Sequence, residues 1–158
     1  MQTNLNNIIL TSDIILHNTR MLNSFNKWIS RELIIRNSSP EKDAEVLFEA
    51  PFAVVSHGTE SDPIFKYGNR KALELFEMSW EEFTQMLSRN SAEPMEQVQR
   101  QRFMEQVTRD GFVNNYEGVR ISKTGRLFLV KNAVVWNVLD KNGAYSGQAA
   151  TFDNWQYL

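Results

Sequence analysis

Pro63-Ile64-Phe65-Lys66-Tyr67-Gly68-Asn69-Arg70-Lys71-Ala72-Leu73-Glu74-Leu75-Phe76 is the stretch that decides the fold. Ile64 to Tyr67 reads as a short strand, and Asn69 stands where a helix over 70–76 needs an N-cap. Upstream, Phe52-Ala53-Val54-Val55-Ser56 reads as the first strand, joined to the second by the turn His57 to Pro63. Downstream, Ser79-Trp80-Glu81-Glu82 is a capping box that opens a helix through about Leu87. Met95 to Arg109 reads as a longer helix with Val98, Phe103 and Val107 inward, stopped by Asp110-Gly111. Three apolar-alternating runs follow, 115–121, 126–139 and 145–155, separated by hairpin turns at Lys123-Thr124-Gly125 and Lys141-Asn142-Gly143. The second run exceeds a typical strand and predicts a bulge. Two strands ahead of the central helices and three after them point to a small α+β fold.

Working outward, residues 11–36 carry one apolar stripe. Ile15, Leu22, Phe25, Ile29 and Leu33 recur at helical spacing, broadened by Ile14, Met21 and Trp28. Thr11, Ser12 or Asp13 caps this helix, which is expected to reach about Arg36. A helix of this kind must bury its stripe to be stable in water. It either packs on its own domain or meets a second copy with Trp28 and Phe25 as anchors. Asn37-Ser38-Ser39-Pro40 is a linker, with Ser39 as cap and Pro40 as the first residue of a short helix through Phe48. The expected division is therefore 1–38, amphipathic helix and linker, and 39–158, the folded domain.

The 158 residues suit one domain with an appendage, and 42% hydrophobic with 11% aromatic residues can furnish a core. A net charge of −2 with no basic stripe argues against a nucleic-acid partner. The absence of cysteine excludes disulfides, thiolate metal sites, cysteine nucleophiles and thiol-linked chromophores. No apolar run approaches the ~20 residues of a membrane span, and the N-terminus lacks the features of a signal peptide. The expectation is a cytoplasmic protein with no membrane partner.

Several of these segments together resemble a known family. Pro63–Phe76, the Trp80-Glu81-Glu82-Phe83 helix start, Gly118-Val119-Arg120-Ile121-Ser122 and Gly147-Gln148-Ala149-Ala150-Thr151-Phe152 are similar to the MEKHLA domain over about Leu47 to Trp155. That domain is related to PAS sensor domains and occurs in bacterial stand-alone proteins and in plant homeodomain–leucine-zipper regulators. The resemblance implies a PAS-like five-stranded antiparallel sheet, order 2-1-5-4-3, with helices on one face and an N-terminal flanking helix. It also implies a bacterial, non-catalytic sensory or interaction module that signals through homodimerisation or a separate effector protein. No homeodomain or zipper is present in this sequence, so DNA binding does not carry over.

Folds of this kind can keep a cavity between sheet and helices. Phe65, Tyr67, Phe76, Phe83, Phe103, Val107, Val119, Val130, Val134 and Trp136 are the expected lining for a small, partly apolar ligand, and the same residues equally suit a filled core. Haem would need an axial ligand, and the histidines, His17 and His57, lie off the long central helix. Ser56, His57 and Asp62 do not make a hydrolase triad, because consecutive residues of a strand point apart. Paired carboxylates at metal-ligand spacing are missing, with Asp43, Glu45 and Glu49 read as a solvated helix face. Asn132, Asn137 and Gln148 sit among apolar neighbours and either brace the sheet or orient a ligand. A cone-shaped α+β enzyme of the ketosteroid-isomerase type is the alternative, with Tyr67, Tyr116 and Glu117 as its acid/base candidates. A ligand-free dimerisation module is the other.

Overall fold

A computed structural model describes residues 5–92 and 94–158, the side chains of residues 94–97 and 100 excepted. The chain opens with α1 (Leu5–Ile9) and α2 (Ser12–Ile29). The second helix stops at Ser30 rather than near Arg36. Ser30 adopts the left-handed conformation (φ 64°) and donates to the Asn26 carbonyl. Tertiary ties turn the next residues away from the helix axis: Arg36 Nε lies 2.9 Å from Asp43 Oδ2, and the Asn37 amide 2.7 Å from Asp43 Oδ1. Asp43 is accordingly buried, not part of a solvated face. Ser39 caps α3 (Pro40–Phe48) by accepting from the Lys42 amide, with Pro40 leading the helix.

Strands β1 (Ala53–His57) and β2 (Phe65–Gly68) precede α4 (Arg70–Phe76), α5 (Trp80–Phe83), a 3-10 turn at Ser88–Ser91 and α6 (Pro94–Asp110). Asn69 does more than cap α4. Its side-chain oxygen accepts from the amides of Ala72 and Val54, and its nitrogen donates to the carbonyls of Leu47 and Phe52. One fully buried amide thus pins α3, β1 and α4 together. The capping box at Ser79 and Glu82 forms, but the helix it opens ends at Phe83. The chain there flattens, and Leu87 bridges back to Ile64.

The sheet closes with β3 (Phe112–Ile121), β4 (Leu127–Leu139), β5 (Tyr145–Phe152) and β6 (Asn154–Tyr157). Its order is β2-β1-β5-β4-β3, all pairs antiparallel, as expected. The sixth strand is the continuation of β5 along β4 past Asp153. Two bulges interrupt the β3–β4 pairing. An extra residue in β3 at Asn115 (φ 58°) and one in β4 at Asn132 (φ 54°) compensate each other, so the register recovers at Gly118 opposite Val130. Asparagine tolerates the left-handed region better than most residues, which explains an exposed Asn132 where a buried amide was expected.

Both faces of the sheet are covered. The helices α4, α5 and α6 lie on one side. On the other lies α2: Phe25 packs edge-on against Trp136 (4.9 Å), Trp136 Nε1 donates to the Met21 carbonyl, and the Leu139 amide donates to Ser24 Oγ. The apolar stripe of the N-terminal helix is therefore buried within its own domain. Trp28 stacks on Phe112 and donates from its indole to the Asn137 carbonyl. Among the described residues, no helix is long and apolar enough to cross a membrane.

Candidate functional site

A cavity of about 50 Å³ lies between the sheet and the α4–α6 side. Apolar wall comes from Val55, Phe65, Phe76, Val130, Ala133 and Phe152, and polar groups come from Tyr116, Arg120 and Gln148. The volume is that of a few water molecules, far below the several hundred Å³ of a typical ligand pocket. Outside it runs an open groove of about 640 Å³, bounded by Pro63, Arg89, Val98, Glu105 and Tyr145. His57, Met104 and Gln148 line both spaces, so these three side chains form the partition between them.

Polar residues on the helix-facing side of the sheet fall into two groups. In the first, Arg120 is buried and donates from Nη2 to Tyr116 Oη (2.7 Å) and from Nη1 to the Val119 carbonyl (2.8 Å). Tyr116, Gly118 and Arg120 alternate along β3 and share one face. A Cβ at residue 118 would lie 2.6 Å from Tyr116 Oη and 3.3 Å from Arg120 Nη1, so only glycine leaves room for the pair. Phe103 stacks on Tyr116 from α6 at 4.0 Å. In the second group, Asn137 Nδ2 donates to the carbonyls of Val107 and Thr108, capping the end of α6. Gln148 Nε2 reaches Met104 O, Thr108 Oγ1 and Asn137 Oδ1 at 3.0, 2.8 and 3.2 Å.

Of the ten expected lining residues, Phe65, Phe76 and Val130 form cavity wall. Phe83 is packed behind them, 4.3 Å from the Phe65 ring, and Phe103 stands one layer back through Tyr116. Val107 is buried at the end of α6, while Val98 is 58% exposed on the groove side. Tyr67, Val134 and Trp136 take the opposite face, toward α2. Tyr67 pairs with Ser56 in the register, and Val134 lies two residues from Trp136 on the same side of the strand. Val119 is half-buried on that outer side too, because it alternates with Gly118 and Arg120. The wall residues that sequence reasoning left out, Arg120 above all, follow from one parity argument. Once Gly118 is placed beneath the helices, positions 116 and 120 go with it and 119 goes out.

The acid/base candidates of an isomerase-type site do not converge. Tyr67 is fully buried on the α2 side, Glu117 is exposed, and Tyr116 Oη is engaged by Arg120. A serine–histidine contact does exist, between Ser56 Oγ and His17 Nε2 at 2.7 Å, but it is sealed beneath α2. Burial, reinforced by Lys66 and Arg20, lowers the imidazole to about 3, so His17 is neutral at physiological pH. Burial also pushes the Tyr67 phenol well above its usual range, aided by Glu49.

Residues 15–157 match the family model of the MEKHLA domain, a span that takes in most of α2 as well as the stretch from Leu47 onward. No curated protein matches the chain. Among solved structures, the PAS domain of a protein from Colwellia psychrerythraea is similar at 13% identity and a TM-score of 0.62, covering 75% of this chain and 95% of that one. An RNA-binding light-oxygen-voltage receptor is similar at 16% identity and a TM-score of 0.61, over 75% of this chain and 34% of that one. A cysteine-to-serine mutant of Vivid is similar at 14% identity and a TM-score of 0.58, over 84% and 97%. At these identities the likeness is one of fold.

Proposed function

The chain belongs to the MEKHLA domain family, and from that premise we propose that it is a non-catalytic sensory and interaction module with a small internal ligand site. One chain of contacts carries the reading. Gln148 lines the cavity and bonds Asn137, and the main-chain carbonyl of Asn137 accepts from Trp28 on α2 at 3.0 Å. A ligand that prefers one arrangement of this chain shifts the population of the N-terminal helix and hence of whatever that helix contacts.

The fold and family support sensing over catalysis, and the scatter of Tyr67, Tyr116 and Glu117 disfavours the isomerase alternative. Output passes through a second copy or a separate effector protein. Because Phe25 is spent inside the domain, a homodimer through the N-terminal helix uses its outer side, where Leu16 is 49% exposed, with Leu10 (37% exposed) in the turn just before it. The setting we propose is the cytoplasm of a bacterium. A ligand-free dimerisation module is the second reading, favoured by the small volume of the cavity.

Native mass spectrometry of gently purified protein, beside a denatured control, tests these readings. An extra mass that vanishes on denaturation supports the ligand site, and a bare dimer supports the second reading. A bare monomer at high concentration, with and without cell extract, overturns both.

A further inference from the structure

Resting on the cavity reading above, we infer that the cavity is an anion site, in which Arg120 and Tyr116 receive the carboxylate of a short aliphatic monocarboxylate. Arg120 is 8% exposed and has no ion-pair partner among the described residues. Its guanidinium carries five donors and gives protein partners two hydrogen bonds, to Tyr116 Oη and the Val119 carbonyl. A buried charge without a counter-charge is costly, and the open volume beside this one is the cavity itself.

Tyr116 adds a second donor. Its oxygen accepts from Arg120, and its own hydroxyl proton has no acceptor among the described residues. The other polar side chains of the wall are engaged elsewhere: His57 Nδ1 donates to the Gly58 carbonyl, and Ser56 Oγ is bonded to His17 Nε2. Ser91 Oγ donates to the Ser88 carbonyl, and Gln148 Nε2 is shared among three acceptors. Gly118 leaves the space in which the guanidinium and phenol lie side by side. A guanidinium next to a phenol suits the two oxygens of a carboxylate.

Size and polarity narrow the class. One cation calls for a monoanion. Phe65, Phe76, Val130 and Phe152 offer an apolar seat for the remainder of the molecule, and about 50 Å³ admits only a short chain. Phosphate esters of nucleoside size do not fit that volume.

The test is a titration of the intact chain with acetate, propanoate and butanoate at constant ionic strength, with propanamide and butanamide as neutral isosteres. Two readouts are used: the Arg120 Nε–H resonance in 1H–15N spectra and the thermal midpoint. The carboxylates are expected to shift the resonance saturably and raise the midpoint while the amides do neither. Arg120→Gln should weaken binding roughly tenfold or more, and Tyr116→Phe several-fold, in line with the loss of a charged and a neutral hydrogen bond. If Arg120→Gln fails to fold, the resonance on the unsubstituted chain and the Tyr116→Phe variant decide. An equal response to amides and carboxylates, unchanged in the variants, overturns the anion inference and leaves the cavity reading standing. No response to any probe, with no bound mass in native spectra, overturns both.

Discussion

His17 and Ser56 meet beneath α2, imidazole Nε2 to hydroxyl Oγ at 2.7 Å, and tie the N-terminal helix to the strand whose neighbouring residues Val55 and His57 face the cavity. The imidazole is 2% exposed and its Nδ1 has no partner among the described residues, so protonating it in place is unfavourable. Its folded-state value of about 3 lies below the usual 6.5. The unfolded chain therefore binds a proton below about pH 6.5 that the folded chain refuses, and stability falls as pH drops through that window toward 3. Between about pH 7.5 and pH 5 this one group should remove about 2 kcal/mol. Urea denaturation of the protein and of His17→Gln at both pH values checks it. The variant should show a flatter dependence, and parallel curves would count against a neutral buried His17.

Asn137 joins three elements: its amide caps α6, its oxygen takes Gln148, and its main-chain carbonyl takes the Trp28 indole. Asn137→Ala strips the Val107 and Thr108 carbonyls of a donor and removes one of the three acceptors around Gln148 Nε2. A loss of about 1–3 kcal/mol is expected from buried groups left unpaired. Amide exchange should quicken first along 104–111, while β1 and β2 keep their protection. Uniform loss of protection across the chain would show that Asn137 acts through global stability alone.

What could be read in the sequence divides along a physical line. Local signals were legible: the Ser39-Pro40 and Ser79–Glu82 helix starts, the Asn69 cap, and the hairpin glycines at 125 and 143, with φ of 87° and 81°. Their energetics are settled within a few residues. Facing was harder, because strand parity has period two and each bulge reverses it. Asn115 and Asn132 each insert one residue, so counting from the N-terminal end of β3 or β4 assigns Val119 and Val134 to a different face than counting from the C-terminal end. Long-range polar partners were beyond reach. Nothing near Asp43 in sequence marks it as the group that turns residues 36–37, and nothing near His17 marks Ser56, 39 residues away.

Tyr67 provides a test in the opposite direction from most substitutions. Its ring packs edge-on against Trp80 at 5.7 Å in a fully buried site, while its hydroxyl finds no hydrogen-bond partner among the described residues. Tyr67→Phe keeps the ring and deletes the unpaired group. Removing a buried, unsatisfied hydroxyl should leave stability unchanged or raise it by about 1 kcal/mol. A loss of more than about 1 kcal/mol in denaturant titration would mean that the hydroxyl has a water or ligand partner.

Gly118 tests the cradle around Arg120. No positive φ constrains it, so Gly118→Ala reports steric conflict rather than backbone strain. The new methyl would meet Tyr116 Oη at 2.6 Å and Cζ at 2.9 Å. Displacing that ring also disturbs the Phe103 stack, for an expected cost of about 1–3 kcal/mol. The nearest clashing atom is the phenol oxygen, so adding Tyr116→Phe to Gly118→Ala should recover part of that loss. A double-mutant cycle in urea measures it. A favourable coupling beyond about 0.5 kcal/mol places the phenol oxygen over residue 118, and strict additivity would remove the cradle from beneath Arg120.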